Sequence, residues 1–164
     1  MGGAVGTVNR QAELVIEPAT PEDVDDLLRI EEASFTSPWT RKMFEVELIR
    51  NPFGRLYTAR LHRSAILGYL CVWIVFEELR IMNLAVSPQA RRQGIGMELT
   101  CHGLKVGLDH DARRAVLEVR ASNTDAIRLY GRVGFLRHAV RKEYYNSPVE
   151  DAVLMELDPI TLPI

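Results

Sequence analysis

Cysteine is scarce, charge of one sign is not in excess, and no apolar run is long. The 164-residue chain holds two cysteines, Cys71 and Cys101, thirty positions apart and in no CxxC pair. That excludes a disulfide framework and reads as two reduced core thiols in a cytoplasmic protein. The four histidines, His62, His102, His110 and His138, form no HExxH and no other ligand spacing, so no metal is expected. Lys plus Arg is 20 against 22 for Asp plus Glu, a net charge of −2. No global basic field is left for a direct nucleic-acid partner. The longest apolar run, Ala65 to Phe76, is too short for a bilayer and reads as a buried strand, so no membrane is expected. Residues 1–12 have no apolar stretch behind a positive start, and Gly6 stands where a myristoylation signal needs Ser or Thr. They read as a flexible leader.

Apolar residues make up 47% of the chain and charged ones 26%, enough to bury a core. No repeat or linker divides it. One domain is expected over residues 13–158, with a short tail at 159–164. Leu14 to Pro18 is a strand candidate. Thr20-Pro21-Glu22-Asp23 starts a helix that runs to about Phe35. Ser37-Pro38-Trp39 breaks the chain, and Thr40 caps a second helix that ends near Asn51-Pro52. Arg55 to Arg63, Ala65 to Phe76 and Leu79 to Val86 predict an antiparallel meander. A helix follows from Gly94 to about Asp109, with a broad apolar face suited to lying on a sheet. Ala115 to Arg120 is a strand. Asn123 caps a helix to Val133, and Gly134 ends it. Phe135 to Tyr145 and Ala152 to Leu157 close the chain as strands. The order β-α-α-β-β-β-α-β-α-β-β is that of a mixed α/β domain.

The most informative segment is Arg91-Arg92-Gln93-Gly94-Ile95-Gly96, between a strand and a helix. Open N–H groups at a helix start attract an anion, and glycines let a phosphate approach the backbone. A dinucleotide GxGxxG fails because Leu99 stands at the third glycine, and GxxxxGK[ST] has no match here. Arg91 and Arg92 either add charge to this site or are solvated. Further on, Leu117 and Val119 face one way on their strand, and Val116, Glu118 and Arg120 the other. Asn123 and Tyr130 share one helix face, about 10 Å apart along the axis, and could line an extended ligand arm.

With its R-x-x-G-x-G loop, the chain resembles the GCN5-related N-acetyltransferases from Leu14 to Leu157. LEVRASN, A-I-x-L-Y, Gly134-Phe135, Tyr144-Tyr145, Glu150-Asp151-Ala152, Ser37-Pro38-Trp39-Thr40 and Asn83-Leu84-Ala85-Val86 resemble the bacterial ribosomal-protein-alanine N-acetyltransferase subfamily, the RimI type. The resemblance implies an acyl-CoA N-acyltransferase fold, a mixed sheet splayed at a bulge in Leu84-Ala85-Val86 with helices on both faces. It implies acetyl-CoA as co-substrate, its pantetheine arm along Leu84, Ala85 and Val86. The pyrophosphate would lie on the loop Arg91, Arg92, Gln93, Gly94, Ile95, Gly96 and Met97, and Asn123 would bond the arm. Glu118 would be the general base and Tyr130 the acid for the leaving thiolate. Pro38, Trp39 and Tyr144 would form the peptide slot. The implied partner is a protein N-terminus, the alanine of small-subunit ribosomal protein eighteen first. Other N-termini, a small-molecule amine, or a non-catalytic acyl-CoA-binding module remain as alternatives.

Each residue also has a plainer reading. Glu118 could pair with Arg120, Tyr130 and Tyr144 could be packing residues, and Trp39 a hydrophobic staple. The chemistry nonetheless coheres. At neutral pH about a tenth of an α-amine of pKa about 7.7–8.0 is uncharged, against well under a thousandth of a lysine. A carboxylate acting through water therefore suffices for an N-terminus without any Ser, Cys or His nucleophile.

Overall fold

The computed structural model describes residues 13–62 and 64–163; the leader expected over residues 1–12 lies outside them. Strand β1 (Leu14–Pro18) leads to a single turn at Pro21–Asp23 and helix α1 (Val24–Ser34). The Asp23 carboxylate accepts the Thr20 N–H at 2.8 Å at this start. Helix α2 (Arg41–Glu45) begins where the Thr40 hydroxyl accepts the Met43 N–H, 3.3 Å. It widens into a π-turn over Val46–Arg50, closed by Asn51 N–H on the Val46 carbonyl at 3.0 Å. Strands β2 (Gly54–Leu61), β3 (Ile66–Val75) and β4 (Glu78–Val86) follow, then α3 (Ile95–Asp109), β5 (Arg114–Arg120), α4 (Thr124–Val133), β6 (Leu136–Tyr145) and β7 (Glu150–Leu157). The element order and the antiparallel meander β2-β3-β4 are as the sequence predicts.

The seven strands form one sheet in the order β1-β2-β3-β4-β5-β7-β6. Only β4 and β5 run parallel. Alternation along β3 divides the core. Leu70 and Val72 face α3 and α4 in a cluster with Leu99, Leu104, Ile127 and Val133. Tyr69 and Cys71 face α1 and α2 with Val24, Leu27 and Phe44. Helix α3 lies close on the sheet: a Cβ on Gly103 or Gly107 would come within 2.7 Å of Leu70 or Leu79.

Two details differ from expectation, and a third lies in the tail. Phe76 is not in a buried strand; it turns out at φ 52°, 90% exposed, between β3 and β4. Leu108, near the end of the helix expected to lie on the sheet by a broad apolar face, is exposed. The tail segment contributes Ile160, whose side chain is buried in the main core and whose N–H donates to Arg113 O at 2.8 Å.

The bulge lies just upstream of Leu84-Ala85-Val86 rather than within it. Cys71 pairs with Asn83 and Val72 with Ile81, which leaves Met82 as the extra residue. Met82 packs toward α1 and α2, and Asn83 also turns to α1. Two consecutive side chains on one face are what a bulge produces, and the strand bends there.

Candidate active site

The bend opens the sheet. The parallel pairing of β4 with β5 covers Glu78–Ile81 and stops at the Ile81–Leu117 pair. Beyond it, β4 remains paired to β3 alone through Leu84, Ala85 and Val86. Ser87 N–H donates to Leu67 O at 2.7 Å, so the alternation of an antiparallel ladder turns the peptide groups of Leu84 and Val86 away from β3 and into the gap. Such an edge can pair with an extended, amide-bearing ligand arm as it would with a strand.

At the end of this edge lies the glycine loop. Gly94 adopts φ 79°, ψ 8° as the N-cap of α3, a left-handed conformation that glycine reaches without a Cβ clash. The first helical bond runs from Glu98 N–H to Gly94 O, 3.0 Å, so the N–H groups of Ile95, Gly96 and Met97 open outward at the positive helix end. A Cβ on Gly96 would stand 3.1 Å from Leu129 of α4, so the glycine also lets the helix start seat against that neighbour. Gln93 Oε1 is buried without a hydrogen-bond partner. As an acceptor it suits a ligand N–H, not a phosphate oxygen. Arg92 is exposed at φ 62°. Arg91 is not simply solvated: its Nε donates to Val86 O at 2.9 Å and its guanidinium to Ser34 Oγ at 3.0 Å, bridging the ends of β4 and α1. The loop thus fits a pyrophosphate whose arm continues along Leu84–Val86.

Glu118 follows the last β4–β5 pair. Its side chain is 16% exposed and faces the α1/α2 side. Its carboxylate meets two cations other than Arg120: Arg80 from β4 and Arg141 from β6, each at 3.5 Å. Arg120 instead pairs with Glu150 at 3.3 Å and donates to Pro148 O and Asn146 O. The Tyr144 hydroxyl is bonded to Glu118, and that bond and charge hold the phenol above its ordinary value. Tyr144 is therefore tied to the carboxylate rather than merely lining a surface.

Tyr130 comes from α4 on the opposite face, buried at 5% exposure with its ring 5.7 Å from Phe135. Burial, then the nearby Tyr145, pushes its hydroxyl well above the ordinary phenol value. Glu118 and Tyr130 thus lie on opposite faces of the sheet. Tyr145, part of the Tyr144-Tyr145 pair but given no role in the expected site, lies near both. Its own hydroxyl is pushed up to about 12 by burial, then by the Glu118 charge, and Arg120 stacks on its ring at 4.5 Å. Asn123 caps α4, its Oδ1 accepting Ala126 N–H at 3.2 Å, so its NH2 is the part left to meet a ligand.

The connection of residues 35–40 forms one wall on the Glu118 side. Ser37 Oγ donates to Ser147 O at 3.0 Å, joining this wall to the β6–β7 connection, while Pro38 is exposed. Trp39 is half-buried, its ring 5.3 Å from Phe44. Its N–H donates to the carboxylate of Glu31, 2.9 Å away. Glu31 was not foreseen: it lies one position after Ile30 on the buried face of α1, where the sequence shows only one of many helical acids. Among the described residues no cluster of His, Cys, Asp or Glu could hold a metal, and no helix is long and apolar enough to cross a membrane.

The model of the acetyltransferase (GNAT) family matches residues 24–135. A Bacillus subtilis (strain 168) protein, provisionally named as a ribosomal protein bS18-alanine N-acetyltransferase, is 40% identical over 134 residues, 82% of this chain and 88% of that one. The crystal structure of the ribosomal-protein-S18-alanine N-acetyltransferase from Escherichia coli aligns with TM-score 0.81 at 28% identity, covering 93% of this chain and 97% of that one. The same fold recurs in Arabidopsis thaliana NAA60 in complex with acetyl-CoA, TM-score 0.79 at 21% identity, over 89% and 98% of the two chains.

Proposed function

The chain belongs to the acetyltransferase (GNAT) family, and from that premise we propose that it moves the acetyl group of acetyl-CoA to the N-terminal α-amine of a protein, the alanine of ribosomal protein bS18 first. The observation that carries this reading is the half-open strand β4. Its peptide groups at Leu84 and Val86 face a gap whose far side begins with Glu118. The thioester carries the activated acetyl group. The edge of β4 holds it extended, and the N–H groups of Ile95, Gly96 and Met97 take the pyrophosphate, with Gln93, Gly94 and Arg92 shaping the approach. Arg91 holds the end of β4 with its Nε.

The acceptor amine enters between the wall at Pro38 and Trp39 and the face that carries Tyr144. Glu118, which lies among Arg80, Arg141 and the Tyr144 hydroxyl, takes a proton from it directly or through water. The neutral amine attacks the thioester carbon, the new C–N bond forms as the C–S bond breaks, the nitrogen releases its surplus proton to water, and the sulfur leaves toward Tyr130 as a thiolate that takes a proton back from solvent. A buried phenol of raised pKa is always protonated at working pH, but it is a weak donor to a free thiolate. Its role is best described as hydrogen bonding to sulfur as negative charge develops.

The test is thiol release with three peptides: the bS18 N-terminal sequence, the same peptide with its α-amine blocked and a lysine free, and a Ser-starting peptide. Turnover should be strong on the first and negligible on the second. Turnover on the lysine peptide alone, or on none, overturns the reading.

A further inference from the structure

Glu31 is 1% exposed, on the face of α1 that buries Val24, Leu27 and Ile30. Its Oε1 accepts the Trp39 N–H at 2.9 Å. Its Oε2 accepts the Asn83 NH2 at 2.9 Å and also the Tyr69 hydroxyl. Among the described residues no Lys, Arg or His is paired with it. Burial alone holds such a carboxyl above its usual range, and the Trp39 and Asn83 donors work against that. Charge buried without a counter-ion is costly, and an apolar side chain of similar size would serve stability as well or better.

What an apolar side chain could not do is join three chain segments. Trp39 belongs to the wall of the acceptor side. Asn83 follows the bulge and directly precedes Leu84, where the open edge of β4 begins. Tyr69 lies on β3 beneath both, its ring edge-on to Phe44 at 5.5 Å, and Phe44 in turn supports the Trp39 ring. We propose that Glu31 is a positioning residue: its two carboxylate oxygens fasten the acceptor wall to the thioester-bearing strand and so set the distance at which the incoming amine meets the acetyl group. The inference rests on the acetyl-transfer reading above. The geometry gives it a sharp chemical requirement, because every neighbour of the carboxylate offers a donor, so only an acceptor at both oxygens satisfies them.

Glu31→Gln keeps the shape but turns one oxygen into an NH2, which then faces either the Trp39 N–H or the Asn83 NH2. Asn83→Ala, at a half-buried position, removes the tie from the β4 side alone. Tyr69→Phe loses a donor from β3 but neither tie, and serves as the stability control. In the full-length protein, Glu31→Gln and Asn83→Ala should each raise the KM for the Ala-starting peptide at least tenfold, with the Kd for acetyl-CoA within twofold of wild type. Amide hydrogen exchange over residues 35–40 should quicken at least tenfold. Tyr69→Phe should lower the melting temperature with KM within twofold. An unchanged KM and unchanged exchange in either folded variant overturns the proposal, as does a KM rise matched by an equal rise in the Kd for acetyl-CoA, or the same KM rise in Tyr69→Phe. If Glu31→Gln does not fold, Asn83→Ala decides. If wild type acetylates no Ala-starting peptide, the functional reading fails, and the exchange over residues 35–40 in the two variants still decides whether the tie exists.

Discussion

Tyr130 and Glu118 are the two side chains whose surroundings differ most in kind. Tyr130 is sealed between α4 and Phe135 and keeps its proton. Tyr130→Phe therefore retains the packing, loses only the hydrogen bond to the developing charge, and should lower kcat by about 10²-fold while acetyl-CoA affinity stays near wild type. Because its pKa is raised, no loss of rate from Tyr130 ionisation is expected on going from pH 7 to pH 10. A kcat loss below threefold would leave Tyr130 as a packing residue. Glu118 is hydrogen-bonded and paired on three sides. Glu118→Gln should impair kcat/KM most at low pH and less as pH nears the amine's own pKa of about 7.7–8.0, where solvent supplies more neutral nucleophile. Parallel wild-type and variant pH profiles would mean that the carboxylate positions Arg80, Arg141 and Tyr144 and that something else removes the proton.

At the scale of elements, the start of α3 and the bulge in β4 act together. The left-handed Gly94 turns the chain so that three N–H groups open beside the end of the strand. Gly94→Val would force a β-branched side chain to φ 79°, a conformation it resists, and would fill the space above those N–H groups. The Kd for acetyl-CoA should rise at least tenfold, measured by calorimetry on variant protein that circular dichroism shows to be folded. Equal affinity would put the pyrophosphate elsewhere. The glycine, the strand before it and the helix after it are legible from spacing. The position of the bulge is not. Met82 sits in an apolar stretch with nothing to mark an extra residue, and its place follows from how β4 must pair with β3 on one side and β5 on the other.

For the whole molecule, the described strands leave a gap between β4 and β5 beyond the Ile81–Leu117 pair, which the proposed acetyl-CoA arm would fill. A ligand that binds the native state alone stabilises it by RT ln(1 + [L]/Kd), about 2.7 kcal/mol at a hundredfold excess over Kd. For a domain of this size that is a rise of roughly 5–10 °C in Tm. Acetyl-CoA at millimolar concentration should produce it in a thermal scan, and free acetate should not. No shift would remove the donor from the proposal. In the proposed reaction, the same gap is what would let Glu118, on the α1/α2 face, and Tyr130, among the core of the α3/α4 face, act on one substrate. In an unbroken sheet the two would be separated by paired backbone.

Sequence alone determined the elements, their order and the glycine loop before α3, because helix caps at Thr40 and Asn123, the glycines at 94 and 134 and strand alternation in β5 are local properties of neighbouring residues. It also identified Glu118 and Tyr130 as candidates, through motif and spacing. Tertiary structure decided the partners. Arg80 and Arg141, which share Glu118, are separated by sixty residues of chain. Arg91, expected as a loop cation, is bound to Ser34 and Val86, and Glu31, one acid among several on α1, lies under the site. A charge's role depends on which segments the sheet brings against it, and that is a property of strand order and register, not of the residue's neighbours in the chain.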